Sequence, residues 1–283
     1  MEDITVIGAS AGPGRLLFEQ LRDEGIPVQG IARSTRGVAT GNGARFTTLD
    51  ASDTSALLDC LTPGSILFHC SRPEFLTALL ARKPEIRRLV VLGSTRVYTR
   101  FPDDKCSRLA AMAHAIWMGD IPATLLHPTM IYGAPGLNNI ERVVRYARLS
   151  PVIPLPGGGR SLIQPVHASD VVTAMRQALS TEASIGRAII VPGRKAVSYR
   201  EFIELIIRLA NVSCRVVSMP YPLVSLGALI SGLIPGLPDV TAEEVQRLLE
   251  DKAFEWQDLK DLLNIEPMDL ETGLGLVFNQ APG

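Results

Sequence analysis

Residues 8–14 read Gly8-Ala9-Ser10-Ala11-Gly12-Pro13-Gly14, with Gly8, Ala11 and Gly14 at G-x-x-A-x-x-G spacing and Gly8, Gly12 and Gly14 at G-x-x-x-G-x-G spacing. Side chains this small let an anion approach a turn, where backbone N–H groups and the positive end of a following helix hold a pyrophosphate. A second polar cluster follows at Gly30-Ile31-Ala32-Arg33-Ser34-Thr35-Arg36. In a dinucleotide site an acidic residue at that place bonds a ribose 2′-hydroxyl, and a basic one pairs with a 2′-phosphate. No carboxylate stands there. A charge-assisted contact from Arg33 is worth about 1.5–3 kcal/mol, which makes NADP the expected cofactor and NAD the alternative. Asp50, in Thr48-Leu49-Asp50, offers an acceptor either to an adenine amino group or to the start of a following helix.

The elements around these residues suit that chemistry. Residues 3–7 are β-rich with little alternation, as in a strand buried on both faces. The glycine turn follows, then a helical pattern in Leu16, Leu17, Phe18 and Leu21 that ends near Gly25, and a second strand over 26–32. This is a βαβ unit of the length that binds a mononucleotide. Further strands are expected at 44–48, 65–69, 87–93 and 122–127, with helices between most of them. Such alternation predicts an α/β fold, a Rossmann-type doubly wound parallel sheet that takes its ligand at the carboxyl ends of the strands. Cys70 and Ser71 after the strand at 65–69, and His127 and Pro128 at the end of the strand at 122–127, therefore join the expected cofactor contacts.

The Pro/Gly-rich run 150–160 departs from the sheet, because it cannot continue regular core elements. A helix over 169–179 and a strand over 187–191 return to it. From Ser198 onward the patterns are mostly helical, at 201–209, 243–249 and 256–263. The expected division is a dinucleotide-binding domain over 1–132 and 164–192, with a smaller, mostly helical substrate-capping lobe over 133–163 and 193–283.

Composition excludes several classes. The 283 residues are 46% hydrophobic and 20% charged, which excludes a disordered or fibrous chain. The formal charge of −1 leaves no broad basic face for nucleic acid. Cys60, Cys70, Cys106 and Cys214 lie far apart, and the four histidines lack metal-ligand spacing, so neither a disulfide framework nor a metal site is expected. Residues 221–240 are apolar but interrupted by Gly227, Gly232, Pro235, Gly236 and Pro238, so a packed helix is expected there and not a membrane span. The start, Met-Glu-Asp running into Ile4-Thr5-Val6-Ile7, has no secretory n-region or h-region, and a cytoplasmic location is expected. The expected partner is a small-molecule substrate, and a homodimer through helices on the sheet's outer face stays open.

Three further runs occur in order: Ser94-Thr95-Arg96-Val97-Tyr98, then His127-Pro128-Thr129-Met130-Ile131-Tyr132-Gly133, then Val166-His167-Ala168-Ser169-Asp170-Val171. Together with the glycine turn, they make the chain resemble the extended and atypical short-chain dehydrogenase/reductases, the NAD-dependent epimerase/dehydratase family. The resemblance implies that Ser94 hydrogen-bonds the reacting carbonyl or alcohol. It also implies a Y-x-x-x-K pair, in which the lysine acidifies the tyrosine phenol one helical turn away. Here Asp104 takes the tyrosine place and Arg108 the lysine place. Arg108 can still hold the nicotinamide ribose, whereas an ordinary aspartate is a poor proton donor to an alkoxide at neutral pH. Tyr98 and Tyr132 are expected to pack or frame the pocket. Sugar-nucleotide relatives place an arginine four residues before His167, where this chain has Ile163, so Arg160 is the candidate for a substrate anion. His167 and Asp170 are expected to orient a helix start.

Two functions remain open on this reading. One is an NADP-dependent oxidoreductase or epimerase-like enzyme acting on a small carbonyl, alcohol or sugar-type substrate. The other is an NADP-binding sensor, assembly factor or scaffold without the proton relay.

Overall fold

The computed structural model describes residues 3–35, 37–224, 246 and 249–280. The helical pattern at 243–249, most of the apolar stretch 221–240 and Arg36 lie outside the described residues. Apolar and β-branched runs become parallel strands: β1 (Ile4–Ile7), β2 (Val28–Ala32), β3 (Arg45–Thr48), β4 (Ser65–His69), β5 (Ile86–Leu92) and β6 (Ala123–Pro128). They alternate with α1 (Gly12–Asp23), α2 (Thr54–Asp59), α3 (Pro73–Leu80) and α4 (Asp104–Trp117). Later in the chain, α6 (Ala168–Ser180) leads to β11 (Arg187–Val191), which adds a seventh strand beside β6. The sheet order is β11-β6-β5-β4-β1-β2-β3, with every pair parallel. The order reverses between β1 and β4, which opens a crevice at the carboxyl ends of those strands.

One side of the sheet packs Leu17, Phe18, Leu21, Val171, Val172 and Met175 of α1 and α6. The other side packs Leu57, Leu76, Leu79, Leu109, Met112 and Ile116 of α2, α3 and α4. Arg88 of β5 is buried without a carboxylate; it donates to the carbonyls of Leu89, Pro122 and Ala178 and to the hydroxyls of Thr124 and Ser184. These bonds join β5, β6 and the end of α6 through carbonyl and hydroxyl dipoles.

The second lobe is built from β7 (Ile131–Tyr132), α5 (Asn139–Leu149), β8 (Val152–Pro156), β9 (Leu162–Ile163), β10 (Val166–His167), β12 (Val197–Ser198), α7 (Tyr199–Leu209) and β13 (Arg215–Met219). Two further helices, α8 (Gln257–Leu263) and α9 (Leu270–Gln280), complete the described chain. A capping box, with the Ser198 hydroxyl accepting from the Glu201 amide and Glu201 accepting from the Ser198 amide, starts α7. The lobe core gathers Tyr132, Ile140, Ile153, Leu155, Phe202, Ile206 and Leu274.

Two sequence expectations need correction. The Pro/Gly-rich run leaves the main sheet as expected, but its residues 152–156 form β8, which pairs parallel with β13. Prolines are tolerated there because the pair is two-stranded and each strand has an open edge. The C-terminal lobe also does not run unbroken from 193 to 283. Leu259, Leu263 and Ile265 of the α8 region enter the core under α1 and α6, so this segment packs with the main sheet. Residues 250–254 tie the two parts together: Glu250 accepts from Thr99 Oγ1 and the Arg100 amide, Lys252 N–H donates to Leu162 O, and Phe254 N–H donates to Gln164 Oε1.

Candidate functional site

The glycine turn sits at the reversal point of the sheet. Gly8 ends β1 at φ +90°, and a Cβ there would lie 2.6 Å from the Cys70 carbonyl oxygen and 3.2 Å from the Ser71 nitrogen. A Cβ on Gly14 would meet Gly8 O at 2.5 Å and the Cys70 Cβ at 2.8 Å. Glycine at these two positions is what lets α1 close against β1 and β4. Gly30 has the same role further along, because a Cβ there would press on Phe46, Phe18 and Ala9. Sequence reasoning did not single out Gly30. Its signal, a glycine inside a strand, marks close approach of neighbours.

Ser10, Ala11 and Pro13 follow Gly8 in the turn, and α1 opens at Gly12 with Pro13 in its first turn. The Gly12 amide donates to Pro135 O at 2.7 Å, and Pro13 has no N–H to offer. Beneath the turn, Cys70 is packed so that burial pushes its thiol up to about 12, which keeps it protonated and unreactive. His69, at the end of β4, is fully buried; its Nε2–H donates to Arg72 O at 3.1 Å and its Nδ1 has no hydrogen-bond partner. Burial holds this imidazole down at about 4, so it is neutral at physiological pH.

Arg33 and Ser34 are exposed just past β2. Asp50, past β3, accepts from the Ser52 amide at 3.0 Å, and its carboxyl lies below the usual range because of that bond, with smaller help from Arg33 and Arg72. The helix start that follows is capped instead by Asp53, which accepts from the Ala56 amide.

The residues expected to meet a substrate lie past β5 and β6. Ser94 accepts from the Arg96 amide at 3.2 Å and begins a 3-10 turn over Thr95–Tyr98. His127 Nδ1–H donates to Ser94 O at 3.0 Å, which leaves Nε2 as its unprotonated nitrogen, and burial lowers its pKa. Tyr98 lies edge-on to His127 with ring centroids 5.5 Å apart and also faces Phe254, and its phenol is raised by burial. Thr95 Oγ1 donates to Pro128 O, joining the ends of β5 and β6.

Asp104 and Arg108 both lie on the exposed side of α4. Asp103 caps that helix by accepting from the Cys106 amide, and it also pairs with Arg96. The Arg108 guanidinium is 3.5 Å from Glu74 of α3. Tyr132 is 1% exposed, packed edge-on to His167 within the lobe core, and burial pushes its phenol above the usual range. Of the two expected places for this ring, packed or framing the pocket, β7 gives it the packed one. Arg160 is exposed after the Gly157–Gly159 turn. His167 caps α6 by accepting from the Ser169 amide, and Asp170 accepts from the Met268 amide.

No protein-family model matches the chain. Solved structures superpose over nearly its whole length. Bacillus cereus UDP-glucuronic acid 4-epimerase, in complex with UDP-glucuronic acid and NAD, matches with a TM-score of 0.74 at 15% identity, covering 98% of each chain. An epimerase from Methanothermobacter thermautotrophicus gives 0.76 at 15% identity, covering 98% of this chain and 91% of that one. A dTDP-glucose 4,6-dehydratase from Bacillus anthracis, in complex with NAD, gives 0.75 at 15% identity over 99% and 96%. The chain has the epimerase/dehydratase fold.

Among curated proteins, the mitochondrial NADH dehydrogenase (ubiquinone) 1 alpha subcomplex subunit 9 of Arabidopsis thaliana is 23% identical over 297 residues, covering 90% of this chain and 73% of that protein. Set on the epimerase/dehydratase fold, the crevice divides in its fit to a nicotinamide dinucleotide. Arg33 and Asp50, near each other beyond the tight turn at Gly8 and Gly14, could hold the adenosine half. The first turn of α1 fits the pyrophosphate poorly in this conformation, since Gly12 already donates to Pro135 and Pro13 cannot donate. Among the described residues, no cluster of His, Cys, Asp and Glu has the makings of a metal site, and no helix is long and apolar enough to cross a membrane.

Proposed function

We propose that the chain binds a nicotinamide dinucleotide across the β1/β4 crevice, NADP in preference to NAD, and serves as an oxidoreductase or epimerase-like enzyme on a small carbonyl, alcohol or sugar-type substrate. The observation that carries this reading is the closeness of Gly8 and Gly14 to Cys70, which brings the N-terminus of α1 to the carboxyl end of β1. Solved structures of the same fold that hold NAD support a nicotinamide dinucleotide, and the preference for NADP rests on Arg33 alone. Arg33 and Ser34 would take the adenosine ribose and its 2′-phosphate, and Asp50 the adenine edge. Ser94 and the neighbouring His127 would orient a substrate oxygen, with Arg160 available to a substrate anion. When bound, such a cofactor supplies the hydride chemistry, and the protein's task is orientation and exclusion of water.

A second reading rests on its own observation. Asp104 stands in the proton-donor place on an exposed helix start, and Arg108 is paired with Glu74. A dinucleotide-binding sensor, assembly factor or scaffold needs neither group for proton transfer. The Arabidopsis relative is compatible with both readings.

The test is a fluorescence titration of NADPH and NADH against the purified chain, followed by a carbonyl-compound screen that monitors NADPH absorbance. Tighter NADPH binding and a turnover that falls on Ser94→Ala support the enzyme reading. Equal affinities for the two cofactors remove the 2′-phosphate assignment. NADPH binding without turnover of any carbonyl moves the function to the sensor or scaffold.

A further inference from the structure

The Gly12 amide is the leading backbone donor of α1, and it is engaged by a distant part of the chain, the Pro135 carbonyl, at 2.7 Å. Contact extends beyond that bond: a Cβ on Gly136 would stand 3.1 Å from the Ala11 Cβ, so the backbone at 135–136 lies directly on the glycine turn. The covering segment is itself a tight turn, closed by the Leu137 amide donating to Ala134 O at 3.1 Å. One positive-φ glycine, Gly133 at +77°, precedes it, and another, Gly136 at +81°, lies within it. Behind it, Asn139 Nδ2 donates to Ile131 O at 2.8 Å and fixes the start of α5. The covering segment is therefore about one turn long, with conformationally permissive glycines at its start and inside it.

We infer that residues 134–137 form a resident lid on the pyrophosphate subsite, in which the Pro135 carbonyl and a dinucleotide phosphate oxygen compete for the same Gly12 N–H. This rests on the dinucleotide reading above and adds a gate to it. The competition favours a phosphate once one arrives, because a charged acceptor makes the stronger bond to a helix N-terminus than a neutral carbonyl does. With Pro13 unable to donate, the Gly12 N–H matters more here than in a turn whose second position has an amide. A lid closed 90–99% of the time would weaken apparent dinucleotide affinity roughly 10- to 100-fold relative to the open state.

The experiment locks and loosens the lid in the full chain. In the Ala11→Cys, Gly136→Cys double variant, the short Cβ separation is near the roughly 3.5–4.5 Å that a disulfide spans. The oxidised form is expected to bind NADPH at least about 10-fold more weakly than the reduced form, with recovery on reduction. Binding of 2′-AMP, which needs only the Arg33 end, should be the same in both. In a second variant, Gly136→Ala, the added methyl pushes against Ala11 at a positive φ and should tighten NADPH binding several-fold. Equal NADPH affinity of the oxidised and reduced forms overturns the lid and leaves the dinucleotide reading standing. If the cross-link does not form, unchanged or weaker NADPH binding by Gly136→Ala overturns the lid. Failure of the wild type, Gly136→Ala and the reduced double variant alike to bind either cofactor overturns the dinucleotide reading and the lid with it.

Discussion

The two ends of the crevice have diverged in what their residues permit. At the glycine turn, Gly8, Gly14 and Gly30 each stand where a single added methyl would strike a neighbour, so the backbone arrangement of a dinucleotide fold is intact. Past β5 and β6, Ser94 starts its 3-10 turn, and α4, the helix on which the sequence resemblance would set a tyrosine and a lysine, presents Asp104 and Arg108 to solvent. Scaffold geometry is enforced by packing, which every folded copy needs, whereas a proton relay depends on two side chains that folding does not require. The fold therefore does not by itself fix the chemistry that its residues carry out.

The sharpest way to break this contrast is at the turn. Gly8→Val should cost about 3 kcal/mol or more in urea unfolding, because it adds a clash with Cys70 O to a backbone at φ +90°. Gly64→Ala is the control, since it has a positive φ but open space around its Cβ; it should cost about 1 kcal/mol, from strain alone. A loss at Gly8 no larger than at Gly64 would mean that the turn is not tightly packed.

Beneath the turn, His69 gives a pH test. Its folded pKa is depressed to about 4, so below about 6.5 the unfolded state binds a proton that the folded state does not. Stability should fall as the pH drops from about 6.5 towards 4, by up to about 3 kcal/mol. Denaturation of wild type and His69→Gln at pH 7 and pH 5 should show a smaller drop for the variant, and parallel losses would clear His69 of the effect. At the adenosine edge, Arg33→Ala should weaken NADPH about 10- to 150-fold and leave NADH unchanged. A matching loss for NADH would assign Arg33 to folding or to general charge. The smallest effect belongs to α4. Glu74→Gln removes a partly exposed partner of Arg108 and should change stability by less than about 1 kcal/mol.

The inner strands of the sheet were legible because they are buried on both faces and read as continuous apolar runs, and the edge strand β11 because its last three residues are apolar. The strands expected at 65–69 and 187–191 fall on β4 and β11 without adjustment. The turn was legible from glycine spacing, since the crowding that demands glycine is local. Three features were hidden for identifiable reasons. Pro135 reaches Gly12 through a backbone carbonyl, and a carbonyl leaves no trace in residue type. Tyr132 sits in a recognisable motif, but whether its ring faces a pocket or the lobe core depends on how β7 pairs with β10. The return of Leu259 and Leu263 to the first core is a long-range packing choice that an amphipathic pattern does not specify.

The bonds made by residues 250–254 have a mechanical consequence. Glu250 grips the stretch just after Tyr98, and Phe254 and Lys252 grip Gln164 and Leu162 of the other lobe. The late chain thus works as a rivet between the two lobes, and a displacement of the lobe is transmitted to the neighbourhood of Ser94. Cutting the protein ahead of Leu249 would therefore not trim an appendage; it would take Glu250 from Thr99 and Arg100, Phe254 from Gln164, and Leu259 and Leu263 from the first core.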